Sequence, residues 1–282
     1  MTCLKREPLR GFSFGLIYLN EISKNKLRAK TKKQKKQNIF YIPAIIFVVL
    51  ISVFVVHAFF RTSQTVPKIQ PKNIPQATTT PQDMTEIRHG DRTKKQIIFT
   101  FDGGSGIQSG GKILEVLAKH HVKGTFFLTG KMMEANPILV RRIALSGHEI
   151  FNHTYDHPNL TTISDVKIVE ELKGMEKVLQ SIAGVSPKPY FRAPFGASDA
   201  RVLAVAAKYG YRSVHWTIDA FDWKEEEGET ADQVKNIILS TIAPGNIYLM
   251  HIGDNITGAI LDDVFTIIES RGYKIVSLTQ GL

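Results

Sequence analysis

The chain has 282 residues and a net charge of +10, with 36 Lys and Arg against 26 Asp and Glu. The charge lies in the N-terminal tail: residues 1–39 hold eleven Lys or Arg against Glu7 and Glu21, whereas residues 94–282 hold 20 basic and 21 acidic side chains. This distribution excludes nucleic-acid binding as the function of the C-terminal part. The single cysteine, Cys3, lies in the tail, so the C-terminal part has no disulfide and depends on its hydrophobic core.

Residues 40–60 form an apolar run of 21 residues whose one ionisable member is His57. A helix of this length can cross a bilayer. Because the basic residues precede the run, we predict a cytoplasmic tail over residues 1–39, a signal-anchor helix over 40–60 and a single-pass cell-membrane protein with its remainder extracellular or periplasmic. Val56 and Ala58 have the spacing of a signal-peptidase site, so cleavage near Ala58 is the alternative.

Residues 61–93 predict a linker, because positions 62–82 are rich in Pro, Thr and Gln and poor in apolar residues. The folded domain is expected over residues 94–282, which suffice for one well-buried core. Seven runs in it are rich in β-branched and aromatic residues and predict strands: 97–101, 125–128, 148–151, 189–191, 211–216, 246–250 and 273–278.

The segments between these runs carry helix signals. They are an apolar face over residues 112–118, Asn136 as an N-cap before Pro137, Ser164 as a second cap, Thr230 with Gln233 at capping-box spacing, and Gly210 and Gly272 as helix stops. Strands that alternate with helices predict an α/β fold with parallel pairing. We therefore expect a distorted or incomplete (β/α) barrel of about seven strands.

Polar residues that carry chemistry fall at the ends of these runs. His153 and His157 are four residues apart, a spacing that can point two imidazoles at one divalent metal, although two surface histidines on a polar loop would look the same. The others are Asp102, Arg192, Asp219, Asp222 and His251. In β/α barrels the C-terminal strand ends meet at one face, so these side chains are expected to converge.

Five segments carry a family resemblance. They are residues 99–104 (FTFDGG), 153–157 (HTYDH), 192–196 (RAPFG), 219–223 (DAFDW) and 249–251 (LMH). In this order and spacing they resemble the five motifs of polysaccharide deacetylases, the NodB-homology or carbohydrate esterase 4 family. The resemblance implies a distorted β/α barrel and a metal-dependent hydrolase acting on carbon–nitrogen bonds other than peptide bonds. Its implied substrate is an N-acetylglucosamine-containing polysaccharide, with cell-wall peptidoglycan first.

The resemblance also implies a role for each matching residue. His153 and His157 match the metal-binding histidines, with Zn as the first choice and Co, Ni or Mn as alternatives. Asp102 matches the general base, and Arg192 matches the cation that holds it. His251 matches the general acid that protonates the departing amine.

The remaining matches concern the acid's partner and the walls of the pocket. Asp222 matches the carboxylate that keeps the acid charged and oriented. Trp223 and Leu249 match apolar walls of the acetyl pocket. Phe195 stands where the family usually has tyrosine, and its backbone N–H is expected to help hold the oxyanion.

One position departs from the family. The first motif usually has two adjacent aspartates, the base and then a metal ligand, but here Asp102 is followed by Gly103. Three outcomes stay open: an active enzyme with a weaker metal site, an enzyme in which Asp156 substitutes, or a non-catalytic, membrane-tethered glycan-binding module. A related amidohydrolase or esterase acting on a small substrate is a further alternative. No protein partner is predicted.

Overall fold

Eight short parallel strands form one curled sheet in the computed structural model, which describes residues 84–282. The strands are β1 (Gln96–Gly103), β2 (Thr125–Leu128), β3 (Glu149–Asn152), β4 (Tyr190–Phe191), β5 (Arg212–Ser213), β6 (Ile218–Asp219), β7 (Ile247–His251) and β8 (Lys274–Val276). Seven of them lie in the order β5-β4-β3-β2-β1-β7-β6, and β8 pairs with the first half of β1. The expected incomplete barrel is therefore confirmed, with one strand more than predicted.

The additional strand is β6. It has two residues and follows β5 with no helix between them, so the alternation of strands and helices does not reveal it. Its pairing with β7 brings Asp219 opposite Leu249. β6 therefore places the fourth motif beside the fifth.

Eight helices connect or follow the strands of the described residues. They are α1 (Gly110–Lys119), α2 (Gly130–Ala135), α3 (Pro137–Leu145), α4 (Asp165–Ala183), α5 (Ala200–Lys208), α6 (Ala231–Ser240), α7 (Ile256–Ser270) and α8 (Leu278–Gly281). Short 3₁₀ turns lie at Leu160–Thr162, Pro194–Gly196 and Asp222–Glu227. The last two turns carry motif residues just beyond β4 and β6.

The capping predictions hold in part. Ser164 accepts a hydrogen bond from the Lys167 N–H at the start of α4, and Thr230 forms the predicted capping box with Gln233. Asn136 occupies the predicted N-cap position of α3 with Pro137 after it, but its side chain makes no cap bond to α3, and its amide donates to the Met132 carbonyl in α2. Asn136 is both the C-cap of α2 and the N-cap of α3, and its side chain bonds to α2.

The core lies between the sheet and the helices. Alternate residues of β1, including Ile97, Phe99 and Phe101, pack into the largest buried cluster together with side chains of α1, α3, α6 and α7. Ile98, on the opposite face, packs with Phe127 and Phe151 inside the curl of the sheet. Burial on both faces explains why the central strands are almost continuously apolar.

The N-terminal part of the chain is described only from residue 84 onward. The predicted tail, most of the linker and the predicted membrane helix over residues 40–60 lie outside the described residues. Residues 85–93, which the sequence pattern assigns to the linker, pack against the domain: Ile87 is buried and pairs with Val214, and Gly90 donates to the Gly245 carbonyl. The folded domain thus begins before residue 94.

The localisation prediction is corrected. Among residues 84–282, no helix combines the length and the apolar character needed to cross a membrane. The longest, α4, has 19 residues but carries seven charged side chains. The predicted single-pass membrane protein is therefore not supported. The transmembrane helix that the predicted fold class places before the barrel is not supported either.

Candidate functional site

The ends of β1, β3, β4, β6 and β7 border one cavity of about 930 Å³. Nine residues singled out in the sequence line it: Asp102, His153, Asp156, His157, Phe195, Asp219, Trp223, Leu249 and His251. Asp102 lies directly opposite His251 in the pairing of β1 with β7. The predicted convergence of these residues is therefore present in the structure, and Arg192 and Asp222 contact it from behind.

Asp102 is held by a buried arginine. The Arg192 side chain is 1% exposed, and its Nη1 lies 2.6 Å from Asp102 Oδ1 and 2.9 Å from Thr100 Oγ1. Its Nε and Nη2 donate to the carbonyls of Val214 and His215 at 3.1 and 3.0 Å. Because four acceptors fix the guanidinium, it fixes the carboxylate in turn. Removal of either partner would leave an uncompensated buried charge.

The loop that carries the two histidines is held in an unusual conformation. Thr154 and His157 both have positive φ, at 69° and 61°. Asn152 Oδ1 accepts from the Thr154 N–H, and the buried Glu171 carboxylate of α4 accepts from the N–H groups of Tyr155 and Asp156 at 3.0 and 2.8 Å. Since non-glycine residues at positive φ are strained, these bonds stabilise the loop in the shape that presents both rings.

The two imidazoles lie side by side with their ring centroids 4.8 Å apart. His153 Nδ1 is 3.0 Å from the Arg192 carbonyl, which can only accept, so Nδ1 carries the proton and Nε2 keeps its lone pair. Burial lowers the pKa of His153 to about 4 and also lowers the pKa of His157. Both rings are thus neutral at pH 7, which is the form that binds metals.

These two nitrogen donors fit a divalent ion, but with fewer protein ligands than usual. Within residues 84–282 no group of three or more His, Cys, Asp or Glu side chains is arranged to hold a metal. Asp156 lines the same cavity, but its carboxylate forms an ion pair with Lys131 and is half exposed. A metal held by His153 and His157 would take its remaining ligands from water and substrate.

Gly103 has no side chain to offer a metal, and its surroundings leave little room for one. A Cβ there would lie 2.7, 2.8 and 2.9 Å from the side-chain ends of Ile252, Leu128 and Met132. These side chains are buried and apolar. The place of a side chain at position 103 is therefore filled by the core on the face of β1 opposite Asp102.

His251, which is partly exposed, pairs with the buried Asp222. His251 Nδ1 lies 2.9 Å from Asp222 Oδ1, and the Asp222 side chain has no exposed surface. Burial alone would lower the pKa of His251, but the hydrogen bond and charge of Asp222 outweigh it and raise the pKa. Burial likewise opposes ionisation of Asp222, yet the bonds from His251 lower its pKa. Asp222 therefore favours the imidazolium form of His251, whose Nε2 is not bonded to Asp222.

Aromatic rings stand at the mouth of the cavity. Phe195 is 69% exposed, has a φ of 60°, and sets its ring edge-on to His157 at 4.7 Å. Trp223 is 46% exposed, and its Nε1 is 3.4 Å from Asp219 Oδ2. Leu249 is buried beneath them as a wall of the cavity. Exposed rings of this kind offer apolar faces to a sugar.

Several residues of the site were not predicted from the sequence. Trp216, Glu225 and Asp254 also line the cavity, and Thr257 and Glu171 contact its residues from behind. Glu171 had one usable signal, since a charged residue on the buried face of an amphipathic helix needs a partner. Thr257 had none, because its contact depends on how α7 packs.

The chain is similar to known proteins in both sequence and structure. A family model for polysaccharide deacetylase matches residues 89–214. The peptidoglycan-N-acetylglucosamine deacetylase of Bacillus cereus is 35% identical over 193 residues, covering 67% of this chain and 69% of that protein. The structure of Bacillus subtilis PdaA, a family 4 carbohydrate esterase, is 32% identical with a TM-score of 0.67, covering 70% of this chain and 85% of that one.

Another similar structure is that of a protein without enzymatic activity. BA3943 of Bacillus anthracis, a pseudoenzyme of carbohydrate esterase family 4, is 30% identical with a TM-score of 0.66, and the match covers 70% of this chain and 68% of that one. A mutant of BA3943 has restored enzymatic activity. The neighbours of this fold thus include both active enzymes and a protein that has lost activity.

Proposed function

The chain belongs to the polysaccharide deacetylase family, as its motifs predict, and on that premise we propose that it hydrolyses N-acetyl groups of N-acetylglucosamine in a polysaccharide, with peptidoglycan as the first candidate. The enzyme class predicted from the sequence, polysaccharide N-deacetylase, is the class named for its peptidoglycan-active relatives. Family members are in general metal-dependent. Metal dependence of this chain, its ion and its residue roles are parts of the proposal.

The first step is attack of water on the acetyl carbonyl. His153 and His157 would hold a divalent metal, with Zn as the first choice, and that metal would polarise the carbonyl and lower the pKa of the attacking water. Asp102 accepts the proton of the attacking water, and Arg192 keeps its carboxylate aimed into the cavity. The backbone N–H of Phe195 stabilises the negative charge that develops on the acetyl oxygen.

The second step is departure of the amine. His251 protonates the sugar nitrogen through Nε2, because its Nδ1 is occupied by Asp222. Asp222 keeps the ring charged until the proton is transferred. Trp223 and Leu249 enclose the methyl group of the acetyl. The carbon–nitrogen bond breaks, and acetate and a free amine leave the site.

The observation that supports this proposal best is the placement of three pairs of polar side chains around one cavity, each with at least one buried member. These are Asp102 with Arg192, His153 beside His157, and His251 with Asp222. Each pair costs burial of polar or charged groups, and a purely structural role would be served better by apolar residues. The exposed rings of Phe195 and Trp223 favour an extended sugar chain over a small enclosed substrate.

The test is acetate release by the full chain from N-acetylglucosamine oligomers and from peptidoglycan. The protein is first stripped with a chelator and then titrated with Zn, Co, Ni or Mn. We expect no release by the stripped protein and release restored by metal. A full rate in the stripped protein would refute the metal's role, and no release with any metal would refute the proposed activity.

A second candidate function is glycan binding without catalysis. Gly103 in place of the metal-binding aspartate favours it, and so does the likeness to BA3943. The same assay separates the two functions when glycan binding is measured alongside it. Binding without acetate release at any metal concentration would favour the binding module.

A further inference from the structure

Asp222 is saturated by donors from three residues. Its Oδ1 accepts from His251 Nδ1 at 2.9 Å and from the Trp223 N–H at 3.0 Å. Its Oδ2 accepts from the His251 N–H at 2.6 Å and from Thr257 Oγ1 at 2.5 Å. A fully buried carboxylate stays ionised only where such donors replace water. Thr257 and His251 are the two side-chain donors to Asp222 among the described residues.

Thr257 presents its hydroxyl from a fixed backbone. It has no exposed surface and lies in the first turn of α7, where its N–H donates to Asp254 Oδ1 at 2.7 Å. Ser109, just before α1, donates to the Asp254 carbonyl at 2.5 Å and accepts from the Gly258 N–H at 2.7 Å. This turn of α7 is therefore anchored on α1, and the position of the hydroxyl does not depend on His251.

We propose that Thr257 is a positioning residue that holds the Asp222 carboxylate in the orientation that engages His251. The inference rests on the proposed function, in which His251 is the general acid. Without the hydroxyl, Asp222 Oδ2 keeps only the His251 N–H as a donor in a site that water does not reach. The carboxylate is then held less firmly at Oδ2, and the His251 ring is oriented less precisely toward the sugar nitrogen.

The experiment compares Thr257→Val, which keeps the shape and removes the hydroxyl, with Thr257→Ser, which keeps the hydroxyl. Thr266→Val is the matched control, because Thr266 is on the same helix and its exposed hydroxyl bonds only to the Asp262 carbonyl within the helix. Two quantities are measured on the full chain: kcat and KM for acetate release, and the NMR signal of the His251 Nδ1 proton.

We expect Thr257→Val to lower kcat about tenfold or more, the value of a hydrogen bond to a charged group, while KM changes little. The Nδ1 proton signal should shift or broaden in this variant. Thr257→Ser should restore both, and Thr266→Val should change neither. Thermal denaturation verifies that each variant is folded, and Thr257→Ala replaces the valine variant if that one is not.

Two results would overturn the proposal. One is a Thr257→Val protein with the kcat and the Nδ1 signal of the wild type. The other is a serine variant as impaired as the valine variant, since the methyl group and not the hydroxyl would then matter. If the wild type releases no acetate, the proposed function fails, but the Nδ1 signal across the series still decides whether Thr257 holds the Asp222–His251 pair.

Discussion

A methyl group added at Gly103 should destabilise the domain. The new Cβ of Gly103→Ala would lie 2.7 to 2.9 Å from three buried apolar side-chain ends, belonging to Ile252, Leu128 and Met132. Overpacking of this kind costs about 1–3 kcal/mol of the free energy of unfolding. Gly103→Asp adds a carboxyl group among the same apolar atoms, which costs about 1–3 kcal/mol more. The aspartate that completes the family motif is therefore expected to be the less stable of the two variants.

Urea denaturation of the full chain measures both effects, and Gly111→Ala is the matched control. Gly111 is in α1, and no atom lies within 4 Å of the place that its Cβ would take, so alanine there should stabilise by about 0.5–1 kcal/mol. A Gly103→Asp protein that is as stable as the wild type and binds Zn more tightly would refute the reasoning. It would mean that a carboxylate at position 103 has room and reaches the metal.

Three further predictions concern titration and the histidine loop. Asp222 raises the pKa of His251, and His251 must be protonated to act as the acid, so kcat should fall as pH rises through that pKa. Asp222→Asn should move this fall in kcat to lower pH. If the fall stays at the same pH, the proposed pairing is contradicted. Burial and the Asp222 charge raise the pKa of Asp254 from 3.8 to about 7. The folded protein therefore loses stability as pH rises from about 3.8 to about 7, where the unfolded chain gives up this proton more readily. Asp254→Asn should be more stable to urea than the wild type at pH 8 but not at pH 4. Glu171→Ala frees the loop between the histidines and should weaken Zn binding about tenfold by calorimetry, whereas the exposed neighbour variant Glu170→Ala should leave it unchanged.

Much of the fold could be predicted from local pattern. The central strands are buried on both faces, so their apolar runs are nearly continuous, and β2 has the predicted bounds of Thr125–Leu128. β6 could not be found in this way, because two residues are too short for a pattern and pairing with β7 alone defines the strand. Asn136 occupies the predicted N-cap position, but the local pattern does not reveal that its amide bonds to the preceding helix.

Local pattern likewise predicts some residues of the site and not others. The residues that line the cavity lie in compact motifs next to strand ends, so their convergence follows from parallel topology. The residues that hold them in place could not be predicted in this way, because Glu171 and Thr257 lie in helices well separated along the chain from the atoms they bind. Asp156 was a reasonable substitute ligand by position, and only the structure places its carboxylate against Lys131.

The most direct test of the account compares acetate release by the full-length wild type with release by Asp102→Asn and His251→Ala, each loaded with Zn on N-acetylglucosamine oligomers. The account predicts release by the wild type and a loss of at least about 100-fold in each variant, with folding intact. Turnover like the wild type in either variant would contradict the assigned acid–base roles. A wild type that binds the oligomers and releases no acetate would contradict the enzyme itself.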